Sequence, residues 1–246
     1  MSKQELSERL ALPEYDFLRT SPQFSNPILY CIAGSRAHGT DIEGSDWDIR
    51  GVVVEPKDVL FGLQSFEQYT DTNTDTVIFG LKKFCQLALK ANPNVLDILF
   101  CEHTDTLYSL DGNVLRQYAT SFLSKRITST TLGCVKGNRH RIDKAIEKGE
   151  IIKANKYLMH SVRLLRTAIF CHQSYCYLTY GLENWRQEYI DIREGKLGVT
   201  YGDWKQRLDV LENELKEADK KSVLPDEPDV AKIHGMMYQI YQRTFT

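Results

Sequence analysis

No run of apolar residues in this 246-residue chain approaches the length of a membrane-spanning helix. Internal repeats and low-complexity tracts are missing too, which excludes a solenoid or a disordered spacer. The opening Met1-Ser2-Lys3-Gln4-Glu5 leads into an acidic, mixed segment and lacks the apolar core of a signal peptide. Six cysteines, Cys31, Cys85, Cys101, Cys134, Cys171 and Cys176, show no paired spacing, so neither a disulfide framework nor a zinc site is expected. Cys171-His172 with Cys176 comes nearest to a metal pattern, but no second pair follows it. A reduced, cytoplasmic protein is the expectation, and at 42% apolar content the chain is long enough to bury a proper core.

Net charge of one sign is also lacking, yet the total of −2 hides an asymmetry. Residues 1–124 carry 10 basic and 17 acidic side chains, whereas residues 125–166 carry 11 and 3. A basic stretch of this kind suits a triphosphate or a nucleic-acid end, although a solvated helical face reads the same way.

The informative stretch runs from Gly34 to Gly51. Residues 28–33 form a short apolar run with Pro27 in front and Gly34-Ser35 behind, the pattern of a buried strand ending in a turn. Glycine lets a phosphate approach the backbone, and the Ser35 hydroxyl can donate to its oxygens. Asp46-Trp47-Asp48-Ile49-Arg50 then opens a second strand over residues 46–54, and period-two geometry sets Asp46 and Asp48 on one face. Two carboxylates so close need a cation, and Mg²⁺ or Mn²⁺ suits hard oxygen ligands while keeping positions for substrate phosphates. Arg50 alternates onto the same face and Arg36 flanks it, as phosphate ligands or charge balance.

An apolar strand, Gly-Ser, ten further residues and Asp-x-Asp resemble the signature of the DNA polymerase β-like nucleotidyltransferase superfamily. The segments Gly34-Ser35-Arg36-Ala37-His38-Gly39 and Ser45-Asp46-Trp47-Asp48-Ile49-Arg50-Gly51-Val52 are most similar to the predicted nucleotidyltransferases associated with RNA ligase and RNA repair. Leu81-Lys82-Lys83-Phe84 onward to Asp97 and His160-Ser161-Val162-Arg163 fit that group as well. The resemblance implies an α+β fold: a small mixed sheet with flanking helices over residues 1–106, then a helical domain over residues 107–246. It also implies an NTP substrate, two divalent ions and a third carboxylate near the acceptor hydroxyl. Asp71, Asp75 and Asp97 are the candidates, and the resemblance favours Asp75, because Thr74-Asp75-Thr76-Val77-Ile78-Phe79 is strand-like and directly precedes a helix over residues 81–91, which is where the family places its third acid. Neither an aspartate of the pair nor Ser35 is lost, as a catalytically silent member would show.

Helical periodicity over residues 151–171 places Lys153, Lys156, His160 and Arg163 on one face. Lys156 and Arg163 are candidate triphosphate ligands, with His160 a hydrogen-bond partner or a buried histidine paired to a carboxylate. Lys136, Arg139 and Arg141 would extend that surface toward the acceptor. Breaks at Gly133, Gly149, Gly181, Gly195-Lys196-Leu197-Gly198 and Leu224-Pro225-Asp226-Glu227-Pro228 divide the helical part, with a closing helix from about Asp229. Aromatic residues such as Tyr177, Trp185, Tyr189, Tyr201 and Trp204 are read as core in preference to base-stacking groups. The acceptor, the base of the NTP and the oligomeric state are not set by the sequence.

Overall fold

The computed structural model describes residues 3–101, 106–196 and 201–246. Expectations that fall on Met1-Ser2, on Leu197-Gly198 and on the side chain of Tyr201 lie outside these residues. The chain opens with α1 (Lys3–Leu10) and a short α2 (Phe17–Thr20) before β1 (Pro27–Ile32) and α3 (Gly34–His38). Next come β2 (Ile49–Val53), α4 (Lys57–Phe61), β3 (Gln68–Asp71), β4 (Thr76–Gly80), α5 (Leu81–Ala88), α6 (Pro93–Leu99) and β5 (Thr106–Tyr108). From there the described chain is helical: α7 (Leu110–Gln117), α8 (Arg126–Glu147), α9 (Ile151–Ser174), α10 (Glu183–Glu194), α11 (Tyr201–Lys220) and α12 (Val230–Phe245).

This is an α+β protein with one five-stranded mixed sheet of order β3-β4-β2-β1-β5. β1 runs antiparallel to β2, and β2 runs parallel to β4 with Ile49 opposite Thr76. That combination brings the C-terminal end of β1 and the N-terminal ends of β2 and β4 to one edge of the sheet. Alternation along the strands divides the apolar residues between two faces. Ile49, Val53, Ile78 and Ile32 pack under Leu6, Tyr15, Leu18 and Phe24 of the N-terminal segment. Val52, Val54 and Phe79 join a larger cluster that continues through α5 and α6 into the long helices and reaches Ile240. The expected division at 106/107 runs through β5, and α7 packs back on β1.

Two strand starts differ from the sequence expectation. Residues 45–48 are irregular and β2 begins only at Ile49, so Asp46 and Asp48 belong to the loop that enters the strand. Asp48 still joins the sheet through its backbone, its carbonyl accepting from Ala33 N at 2.8 Å. Asp75 also precedes its strand, at a left-handed φ of 46°, and its carbonyl accepts from Ile49 N at 3.2 Å. Both carboxylates are thus carried by backbone pinned to the sheet edge. Helix ends behave as their caps dictate: Asn92 accepts from Asn94 N and Val95 N ahead of Pro93, and Asp229 accepts from Lys232 N.

Candidate active site

Gly34 opens the site. Its φ is +63°, and a Cβ there would lie 1.8 Å from Asp48 Oδ2, so only glycine lets the turn and the carboxylate come this close. Ser35 follows in the first turn of α3. A cavity of about 310 Å³ lies against this turn, lined by Gly34, Ser35, Asp46, Asp48 and Asp75 from the sheet edge. Lys156 and His160 of α9 and Arg193 of α10 complete the opposite wall. The basic helical face and the acidic sheet edge therefore meet across one space.

The carboxylates sit under strain from one another. Burial, then the neighbouring Asp75 carboxyl, push Asp48 up to about 6, against the pull of Arg50 and Lys156. Arg50 Nη2 lies 3.2 Å from both Asp48 Oδ1 and Asp75 Oδ1 and so holds the pair together. Asp71 is occupied elsewhere: its Oδ2 accepts from Thr74 N at 2.9 Å and from Thr74 Oγ1 at 2.6 Å, closing the β3–β4 turn. Among the described residues, no three His, Cys, Asp or Glu side chains come together closely enough to hold a metal ion. The donors that do converge, Asp48 and Asp75 with Asp46 on the same cavity wall, are hard oxygens of the kind Mg²⁺ or Mn²⁺ takes.

Arg36, expected at the phosphates, lies along the loop that carries Asp46. It donates to Ser45 O at 2.8 Å and Asp46 O at 3.2 Å, lies 3.5 Å from Asp41 Oδ2 and stacks on Trp47 at 4.3 Å. Arg9 covers the other contact on Trp47, 4.5 Å from the ring centroid. The Arg-Trp-Arg stack fixes the loop between the two aspartates.

Arg163 also sits apart from the cavity around the aspartates. The residue is 6% exposed, and its guanidinium meets both carboxylate oxygens of Asp97 at 3.3 Å. Tyr177 donates to the same carboxylate at 2.9 Å, and His38 Nε2 stands 3.4 Å from it. That proximity would favour an imidazolium. Burial and the Arg163 charge outweigh it and lower His38 to about 4, because the Asp97 charge is already met by Arg163 and Tyr177. His38 Nδ1 donates to the Thr179 carbonyl at 3.0 Å. His160 is lowered further, to about 3, by burial and by Arg163, His38, Lys156 and Arg193 around it. It is a neutral imidazole at the junction of two cavities, not the carboxylate-paired histidine that was the alternative.

Other basic residues are tied up. Lys153 pairs with Glu150, and Arg139 with Asp209 and Glu212. His172 bonds Thr128 and Ser222 at 2.7 Å each, a structural hydrogen-bond network. Arg193 is the site residue that sequence reasoning missed. It donates to Thr40 O at 2.7 Å just past α3, a contact across 153 positions that no local pattern announces.

A Gly-Ser turn at the head of a helix, facing carboxylates in the loops that enter two adjoining parallel strands and cations on a helical wall, is the arrangement of a DNA polymerase β-like nucleotidyltransferase. The chain matches the RNA repair pathway DNA polymerase beta family, RlaP, over residues 14–239, and belongs to it. Among solved structures it is similar to a nucleotidyltransferase-like protein from Exiguobacterium sibiricum, at 10% identity and a TM-score of 0.30, with 98% of this chain and 80% of that chain covered. No curated protein matches.

Proposed function

We propose that the protein transfers a nucleoside monophosphate from an NTP to an acceptor hydroxyl at an RNA end and releases pyrophosphate. One observation carries this reading: the Gly34-Ser35 turn, the three aspartates and the Lys156 ammonium line a single cavity. Gly34 and Ser35 cradle the triphosphate through the turn and the hydroxyl. Lys156 and Arg193 balance its charge from the far wall, and neutral His160 offers a hydrogen bond without adding charge. Arg50 keeps the carboxylates of Asp48 and Asp75 together. Asp46, Asp48 and Asp75 are the oxygen donors that a Mg²⁺ or Mn²⁺ would draw together, and the ion when bound neutralises phosphate charge and makes the acceptor hydroxyl more acidic. The hydroxyl oxygen forms a bond to the α-phosphorus, the α–β phosphoanhydride breaks, and pyrophosphate leaves with the bonding electrons. In this reading Asp75, whose side chain is 54% exposed, favours deprotonation of the hydroxyl.

Arg36 acts here through the loop and not on the phosphates, and Arg163 acts through Asp97. Among the described residues, no helix is long and apolar enough to cross a membrane, and a cytoplasmic setting fits the scattered cysteines. A second reading, a catalytically silent nucleotide-binding module, draws on Arg50, which bridges Asp48 and Asp75 where a cation would act. Incubation with each labelled NTP, Mg²⁺ or Mn²⁺, and pools of RNA, tRNA, protein and small molecules separates the two. Transfer to RNA that disappears in Asp46→Ala and Asp48→Ala supports the enzyme. NTP binding with no labelled product in any pool supports the silent module, and label in protein or small molecules moves the acceptor.

A further inference from the structure

We infer that a second, larger groove beside the aspartates is the acceptor site and holds the single-stranded end of an RNA. The inference rests on the nucleotidyl-transfer reading and assigns its acceptor a place. The groove has a volume of about 1010 Å³, against about 310 Å³ for the cavity that holds the aspartates. Gly34 and His160 line both, so the groove opens onto the reacting centre. Val77 and Phe79 of β4 form one side of it, and α8 forms the other.

The face that α8 turns to this space is unusually low. Ser129, Gly133 and Gly137 recur at steps of four along it. Glycine is the poorest helix former after proline, and α8 is a 22-residue helix with two of them at its centre. Packing within the protein gives no reason for either, because a Cβ at Gly133 or Gly137 would meet nothing within 4 Å. Glycine held where the protein leaves open space admits another molecule close to the backbone.

The polar groups around that space point to a polyanion. Arg141 lies 5.7 Å over the Tyr157 ring and donates weakly to Asn138 at 3.4 Å, and among the described residues it meets no carboxylate. Lys83 and Arg50 line the opposite side, Lys83 paired with Glu67 at 2.6 Å and Arg50 with Asp48 and Asp75, so Arg141 is the cation on which the inference rests. Arg163 is more than nine-tenths buried, lines the groove, and has an Nε with no hydrogen-bond partner. Among the described residues His160 makes no hydrogen bond either, though it faces the same space. The groove's one carboxylate, Asp97, is already neutralised by Arg163, so a polycationic small molecule finds nothing to pair with. A cation beside an aromatic ring, as Arg141 is beside Tyr157, is what a flexible nucleic-acid strand uses, through backbone charge and base stacking. The chain's membership of an RNA repair family makes that strand RNA.

The test measures two affinities on the 246-residue chain. A short fluorescein-labelled single-stranded RNA reports on the groove, and each NTP reports on the aspartate cavity. The double variant Gly133→Leu, Gly137→Leu and the single variant Arg141→Glu are expected to weaken RNA binding about tenfold or more, with NTP binding unchanged. Gly133→Ala with Gly137→Ala guards against misfolding: its melting temperature is expected to rise, because alanine favours the helix, while RNA binding falls. RNA bound as tightly by these variants as by the wild type overturns the inference, as does a protein or small-molecule acceptor competing for the groove in place of RNA. Groove-dependent RNA binding with no nucleotide transferred to any acceptor overturns the transfer reading and leaves the RNA groove standing.

Discussion

Asp97 accepts from Arg163, Tyr177 and, through its backbone carbonyl, Thr179, while sitting 7% exposed beneath the long helices. Removing its charge would leave the buried Arg163 guanidinium uncompensated, so Asp97→Asn is expected to cost about 3–5 kcal/mol in urea unfolding. A surface pair such as Lys153 with Glu150 carries no such penalty. His38 and His160 set a pH dependence of definite sign. Their folded values of about 4 and about 3 lie below the ordinary histidine value of 6.5, so the unfolded chain takes protons first. Stability is therefore full above about pH 6.5 and falls as pH drops from there toward 4 and 3. His38→Gln should flatten part of that slope in a pH series of thermal melts; an unchanged slope would show that the imidazole titrates alike in the folded and unfolded chain. Sequence periodicity placed Arg163 and His160 on a common helix face, but it could not say which part of that face meets the sheet. Arg163 meets Asp97 across 66 positions, a contact that no local pattern announces.

Local elements near the motif were readable because their signals are short-range. The apolar run before Gly34, the strand after Asp48 and the β-branched run after Asp75 all mark strands, although Asp46 and Asp48 turned out to precede theirs. A loop held by backbone bonds and by Arg36 and Arg9 on Trp47 gives no alternation to read. The Gly34 turn is where the element scale is most exacting. Gly34→Ala must accommodate a positive φ, at about 1–3 kcal/mol, and must also push Asp48 away. NTP-dependent transfer is expected to fall about tenfold or more, with a smaller loss of stability. Equal activity in the variant would show that the approach of Asp48 to the turn is unimportant.

At the scale of the whole molecule, one apolar cluster runs from Ile28 in the sheet to Ile240 in the last helix, and Tyr241 donates to the buried Glu55 at 3.1 Å. A calorimetric scan is expected to show one cooperative transition, because neither the sheet nor the helices complete a core alone; two separated transitions would mark two independent domains. Fold class was legible through the resemblance carried by the stretch from Gly34 to Gly51, whereas the partnership of Arg193 with the turn at Thr40 depends on how α10 closes over α3. The same closure creates the cavity in which acid and base sides meet, and the central claim concerns what passes through it. The most direct measurement compares RNA incubated with α-labelled and with γ-labelled NTP, using wild type and Asp48→Ala. The account predicts RNA labelled by the α-phosphate alone, γ-label released as pyrophosphate, and neither product with the variant. Label reaching RNA from the γ-phosphate, or α-label transferred as well by Asp48→Ala, would contradict it.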